Sequence, residues 1–414
     1  MARWNSIARG AAATAAAALI LTACSTEGGE GEGSDEPLII GTLLPITGSL
    51  AFLGPPEIAG VDLAIKEINE AGGVLGADVT VIHTDSSDTA NPQIATQSVT
   101  ELVNAGVSAI IGAASSSVTF NVIDDITAAG IVQVSPANTA TGLSGYSPYY
   151  FRTAPPDTVQ GNALAQLMLD DGHSDIGILV FNDDYGTSLR DVIQDTVEGA
   201  GGSITYGTSG QEFDPNASNF ATDVGSILET NPDAIALIAF DQTKQIIPEI
   251  VAAGFDVSKL YLVDGNTADY SADFPAGTLA GAKGTIPGAN PTADFQALMN
   301  DVHGSTLDSF AYGAESYDAT MLVALAAVRG GGTDAKTIRD NLAAVSGAVD
   351  GATECSSFAA CVELLEADEE IFFQTVGGSG PFNDDNDPSS AFIGVYQFDG
   401  DNVPQWIAAV FGEV

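Results

Sequence analysis

Two short loops carry the residues best suited to gripping a small polar molecule. Within residues 108–141 an apolar run, Ala109-Ile110-Ile111, stops at Gly112, and Ser115, Ser116 and Ser117 follow. Apolar residues then return at helical spacing, at Val118, Val122, Ile123 and Ile126, before Gly130. A second run, Ile131 to Val134, breaks at Ser135-Pro136 and opens onto Asn138 and Thr139. This reads as strand, loop, helix, strand, loop. A parallel sheet puts both loops on one edge, where open α/β sheets bind ligands. Small hydroxyl residues beside the free N–H groups of a helix N-terminus suit a site that holds a carboxylate without a metal or a strong base. Ser115 fits a plain helix N-cap equally well.

Other chemistries find less support. There is no G-x-S-x-G elbow, and none of His83, His173 and His303 lies beside a serine loop in the sequence, which argues against a serine hydrolase. Cys355 and Cys361 have no histidine near them, so a metal site is not expected and no cofactor is implied. In an exported chain such a pair reads as a disulfide, and closing so small a loop stabilises by about 2 kcal/mol. Eleven Lys and Arg against 55 Asp and Glu give a formal charge of −44. That balance argues against nucleic acid and against an anionic membrane surface as partners, and no basic helix-turn-helix is present. The acid is spread along the chain, as on a surface kept soluble in a salty environment.

The N-terminus reads as a processing segment. Arg3 and Arg9 precede a short alanine-rich stretch, and Leu21-Thr22-Ala23-Cys24 resembles a bacterial lipobox. The resemblance implies a lipoprotein signal peptide over residues 1–23 and lipidation of Cys24, which would anchor the protein in the lipid bilayer outside the cytoplasm. Residues 24–37 form an acidic, glycine-rich tether. The alanine-rich apolar run is too short for an ordinary transmembrane helix, and no other segment reaches about 18 uninterrupted apolar residues.

From residue 38 onward β and α signals alternate. Strands are expected at 38–44, 78–83, 109–112 and 131–134, with helices between them, and residues 147–156 look like a crossover. The alternation restarts with strands at 175–181, 203–206, 233–240 and 259–263. Residues 283–287 look like a second crossover, helices dominate to residue 345, and a third crossing begins at Val376. Residues 391–398 read as the terminal strand. The expected fold is α/β, with two doubly wound lobes joined by three crossings: residues 38–153 with 287–378, and residues 154–286 with 379–414. A cleft between two such lobes makes a hinge-closing ligand binder the natural expectation.

Several motifs occur in order: Gly41 to Gly48 (GTLLPITG), Ala71 to Gly76 (AGGVLG), Ile110-Ile111-Gly112 with its serines, and Ser135 to Thr139 (SPANT). Phe151 to Pro155 (FRTAP), Asp184-Tyr185-Gly186 and Asp264-Gly265 follow. Together they resemble the leucine/isoleucine/valine-binding type of ABC-transporter solute-binding protein, from about residue 38 to the C-terminus apart from the stretch around Cys355 and Cys361. The resemblance implies a type I periplasmic-binding fold, no catalysis, and delivery of the solute to ABC permease subunits. It implies that Ser115, with Ser116 and the backbone N–H groups beside it, holds the carboxylate of an amino acid. The ammonium would be shared by the Asn138 carbonyl, Thr139 and Asp264, with Tyr185 covering the site from the second lobe. Leucine binders commonly have Glu where this chain has Asp264, Tyr where it has Phe240, and an aromatic where it has Leu53, so the side-chain pocket differs. Tyr185 also fits simple packing at a helix start, Asp264 a turn before Gly265, and Phe240 plain core. A receptor-type sensor of a small amide, urea-like or carboxylate solute, built on the same fold, is the other reading.

Overall fold

The computed structural model describes residues 36–414. The signal peptide, Cys24 and all but the last residues of the tether lie outside the described residues. The chain opens with β1 (Ile39–Leu44), α1 (Gly54–Glu70), β2 (Thr80–Asp85), α2 (Pro92–Ala105), β3 (Ala109–Gly112) and α3 (Ser116–Ala128). It continues through β4 (Val132–Ser135), β5 (Tyr150–Arg152), α4 (Asp157–Asp170), β6 (Asp175–Val180), α5 (Asp184–Gly199) and β7 (Ser203–Tyr206). Then come α6 (Ala221–Glu229), β8 (Ala234–Ile238), α7 (Thr243–Ala252), β9 (Leu260–Leu262) and β10 (Lys283–Pro287). Helices α8 (Ala293–His303), α9 (Gly313–Gly330) and α10 (Ala335–Val345) follow. The chain ends with β11 (Thr353–Cys355), α11 (Phe358–Glu366), β12 (Ile371–Phe373), β13 (Ser390–Phe398) and β14 (Pro404–Glu413).

Two sheets form two lobes. The first has the order β2-β1-β3-β4-β5 and is parallel throughout. Its central strands β1, β3 and β4 are buried at nearly every position and mostly apolar, broken by Thr42 in β1 and by Gln133 and Ser135 in β4, because both faces are covered. Ile40, Ile111 and Val134 pack on the α1 and α9 side with Leu63 and Met321, while Leu43 and Ile110 pack with Leu102 of α2 and Val122 of α3. Helices α1 and α9 approach closely at Gly60, where a Cβ would lie 2.0 Å from the Gly313 carbonyl oxygen. The second sheet has the order β14-β13-β10-β9-β8-β6-β7, parallel from β10 to β7 and antiparallel at β13 and β14.

Two expectations are corrected here. Residues 283–287 are not a crossover but β10, whose Gly284, Thr285 and Ile286 are buried between β9 and β13. The crossing begins only at Gly288, where φ is +105°. Residues 391–398 are not the last strand: the chain turns at Asn402 and returns as β14. That strand lies on the sheet edge and is mostly exposed, so it lacks the unbroken apolar run of a buried strand.

The three connections between lobes are residues 153–156, 288–292 and 374–389. An ion pair ties the end of β5 to the third connection: Arg152, fully buried, donates from Nε to Asp387 Oδ1 at 2.5 Å and from Nη2 to Oδ2 at 2.9 Å. Cys355 and Cys361 form a disulfide that pins β11 to α11 within the first lobe. No helix among the described residues is long and apolar enough to cross a membrane.

Candidate ligand-binding cleft

Both serine loops emerge at the carboxyl ends of first-lobe strands and face the second lobe. Gly112 ends β3 with φ +122°, and a Cβ there would lie 2.1 Å from the Leu43 carbonyl oxygen, so the strand can turn tightly only with glycine. Ser115 N-caps α3, its Oγ accepting from Val118 N at 3.4 Å. Ser116 Oγ accepts from Ala140 N at 3.2 Å, and Ser117 Oγ accepts from Asp184 N at 3.0 Å. The last bond crosses to the second lobe, as does the bond from Thr141 N to Ser188 Oγ at 2.9 Å.

In the second lobe Asp183 N-caps α5 by accepting from Tyr185 N at 3.1 Å, which sets Tyr185 in the first turn. The Tyr185 ring stacks on Phe240 with centroids 5.4 Å apart. Phe240 lies over Gly265, where a Cβ would come 2.7 Å from the ring. The turn after β9 is organised by Asn266, whose Oδ1 accepts from Val263 N, and this leaves Asp264 free to point into the cleft. Asp264 Oδ1 accepts from Tyr185 Oη at 2.5 Å and from Gln160 Nε2 at 2.9 Å, and Oδ2 accepts from Tyr312 Oη at 2.6 Å. All three donors are neutral.

Burial pushes the Asp264 pKa up against these three hydrogen bonds. Asp157, at the start of α4, is also fully buried, and burial pushes its pKa up to about 7 against the opposing pull of the nearby Ser188 and Thr139 hydroxyls, with the Asp264 charge adding to the rise. Neither Asp157 oxygen has a formed hydrogen bond; the same holds for Thr139 Oγ1 and Gln160 Oε1. The cleft is thus short of cations and rich in acceptors.

The structure brings Leu53, Ser115, Ser116, Tyr185, Phe240 and Asp264 to one cavity, together with Leu50, Ala114, Ala137 and Tyr312. Leu53 stands at the N-cap of α1, just before a first turn that contains Pro55 and Pro56. Asn138 and Thr139 are not in the lining. Ser135 Oγ takes the N–H groups of Ala137 and Asn138, and the Asn138 side chain is fixed to the Ala114 carbonyl and Tyr150 Oη. The Asn138 carbonyl faces Arg152 Nη1 at 3.4 Å, so the loop is a structural staple there. Gln160 and Tyr312 were not singled out in the sequence. Gln160 lies inside a helix, and Tyr312 precedes α9 with a positive φ of 59° that no motif announces.

The cavity measures about 10 Å³, room for about one water. Leu50, Leu53, Ala114, Ala137 and Tyr312 of the first lobe belong to the same apolar cluster as the second lobe's core, so the lobes stand closed on each other. An amino acid is several times larger than a water, so entry requires the lobes to part.

Residues 37–370 match the sequence profile of the family described as periplasmic binding protein. The chain belongs to the periplasmic binding protein family. This is a family of solute-binding proteins. A chemotactic signal transduction system substrate-binding protein, BasB, of Halobacterium salinarum is 26% identical over 356 residues, 83% of each chain. The leucine-, isoleucine-, valine-, threonine-, and alanine-binding protein of Pseudomonas aeruginosa is 35% identical over 162 residues, 38% of this chain and 42% of that one. The branched-chain amino acid transporter substrate-binding protein LivJ of Streptococcus pneumoniae, solved with isoleucine, superposes with a TM-score of 0.72 at 22% identity. That superposition covers 92% of this chain and 100% of LivJ, and it shows a shared type I fold with two lobes.

Proposed function

We propose that this protein is the extracytoplasmic receptor of an ABC importer, anchored by a lipidated Cys24, which closes its lobes on an α-amino acid of branched-chain or related type. The observation that carries the reading is the buried Asp264 carboxylate, which meets only neutral donors at the edge of an apolar cavity. A buried carboxylate without a cation is costly, and a ligand ammonium removes that cost. The ligand carboxylate then lies at the start of α3, against the Ser115 and Ser116 hydroxyls and the local N–H groups. Leu50, Leu53, Phe240 and the two alanines receive an apolar side chain. Tyr185 closes over the ligand with the second lobe. The ammonium is assigned to Asp264 and not to the Asn138 carbonyl, which is already engaged by Arg152.

A thermal-shift panel tests this with α-amino acids, their amides and the matched acids lacking the amine. A ligand at 100-fold its Kd stabilises by about 2.7 kcal/mol. Branched-chain amino acids should raise the melting temperature while both control sets should not; a response to the amine-free acids alone would refute the assignment.

Sensing is a second reading, favoured by the likeness to BasB along most of the chain. Neighbouring permease and ATPase genes would support transport, and an adjacent kinase or cyclase gene would support sensing.

A further inference from the structure

A second hollow, of about 150 Å³, shares only Tyr312 with the ligand cavity. Its walls come from the second crossing (Ala289, Asn290, Pro291), the loop that leads into α9, and Tyr396 of β13. Glu315, in the first turn of α9, lines it and is only 5% exposed. Its carboxylate takes part in none of the ion pairs among the described residues and receives no hydrogen bond from another residue.

The groups around it do not help. Glu57 of α1 is fully buried, lies within electrostatic reach of Glu315, and has no hydrogen bond at either carboxylate oxygen. Asp318 is committed to the N–H groups of Val376 and Gly377. Tyr312 and Tyr396 both feel the Glu315 charge, and Asp269 and Asp308 stand exposed at the rim. An isolated buried carboxylate must hold a proton or meet a cation.

We propose that this hollow binds a small monovalent cation, an alkali ion or a primary ammonium, held by the Glu315 carboxylate. A divalent ion fits poorly: it asks for several carboxylates, and no group of three or more His, Cys, Asp or Glu among the described residues is arranged to hold one. Neutral oxygens are to hand instead. Gln296 gives its Nε2 to the Pro291 carbonyl, which leaves Oε1 to face a cation. The hollow, about 150 Å³ against about 10 Å³ for the ligand cavity, has room for several waters, enough for an ion with part of its hydration shell or for an ammonium on a short apolar body.

Cation and proton compete for the seat. Burial pushes the Glu315 pKa up to about 8, with Asp318 adding to the rise. At neutral pH the carboxyl O–H bond therefore breaks as the cation enters, and the proton leaves to solvent. Apparent affinity should rise about tenfold per pH unit up to that pKa and level off above it. The seat also touches the hinge: a Cβ at Gly288 or Gly377, in the second and third crossings, would lie 2.1 or 2.8 Å from Glu315 Oε1.

The test compares rubidium and ethylammonium chlorides with N-methylglucamine chloride, whose cation is too bulky to enter, at one ionic strength. At pH 8.5 rubidium or ethylammonium should raise the melting temperature; which one does so identifies an alkali or an organic cation. The rise should vanish at pH 6 and in Glu315→Gln, and a rubidium response should appear in crystals as an anomalous peak beside Glu315. Equal melting in all three salts at pH 8.5 would overturn the proposal, as would a response of the same size at pH 6. The pH comparison uses the unaltered protein, so it decides the matter even if Glu315→Gln fails to fold.

Discussion

Replacing Asp264 with Asn separates the binding role of this residue from its structural one. In the closed protein its carboxylate accepts from Tyr185, Tyr312 and Gln160 at 2.5, 2.6 and 2.9 Å. An amide keeps one oxygen for Tyr185 and Gln160, and its N–H group meets the Tyr312 hydroxyl, which can turn to accept. Three charge-assisted bonds thus become neutral ones, each weaker by about 1 kcal/mol, while the burial cost that raises the carboxyl pKa disappears. The two changes oppose each other, and unfolding free energy should move by no more than about 1 kcal/mol. Binding has no such compensation. An ammonium held in a closed cleft loses its counter-charge, at a cost of about 2–5 kcal/mol, or roughly 30- to several-thousand-fold in Kd. Asp157 remains close by and should hold the loss toward the lower end of that range. Urea unfolding with and without the amino acid, alongside calorimetric titration, reads both quantities. A stable variant that binds the amino acid within threefold of the wild type would refute the reasoning.

Stability should fall as pH rises from about 5 to 8 at fixed salt, because burial raises the pKa values of Asp157 and Asp318 to about 7 and of Glu315 to about 8. Each such group stabilises the folded state while it keeps its proton and stops doing so as pH passes its folded pKa. The slope is about 1.4 kcal/mol per pH unit for each group still protonated in the native state, and a flat urea midpoint over this range would contradict the burial of these acids. Asp387→Ala should destabilise by about 3–5 kcal/mol, since it strands a fully buried guanidinium; chemical denaturation measures this, and a loss below about 1 kcal/mol would mean that Arg152 finds another partner. Wild-type protein should partition into the detergent phase and Cys24→Ser should not, as read by phase separation and intact mass.

Much of the architecture was legible because buried parallel strands are written as unbroken apolar runs. The runs in β3 and β8 are buried at every position and were plain in the sequence. Strand β14 was not, because an edge strand with both faces largely open to solvent has no such pattern to keep. Strand β10 was hidden by its brevity and by the proline that ends it. In the cleft, Ser115, Tyr185 and Asp264 were visible because each sits where a strand gives way to a loop or a helix start, the edge on which ligands collect. Gln160 and Tyr312 were not visible: their role exists only once α4 and α9, distant in sequence, converge on Asp264. Asn138 stands differently. Its loop was found, but the inward turn that gives its carbonyl to Arg152 depends on a residue of the next strand.

The most direct test of the central claim is isothermal titration of the wild-type protein with leucine, isoleucine and valine, with small-angle scattering on the same samples. At least one should bind one-to-one, with a negative heat-capacity change from apolar burial and with a bound-state radius of gyration that matches the closed arrangement of the lobes. No binding of any branched-chain amino acid, together with one-to-one binding of an acid that lacks the amine, would contradict it.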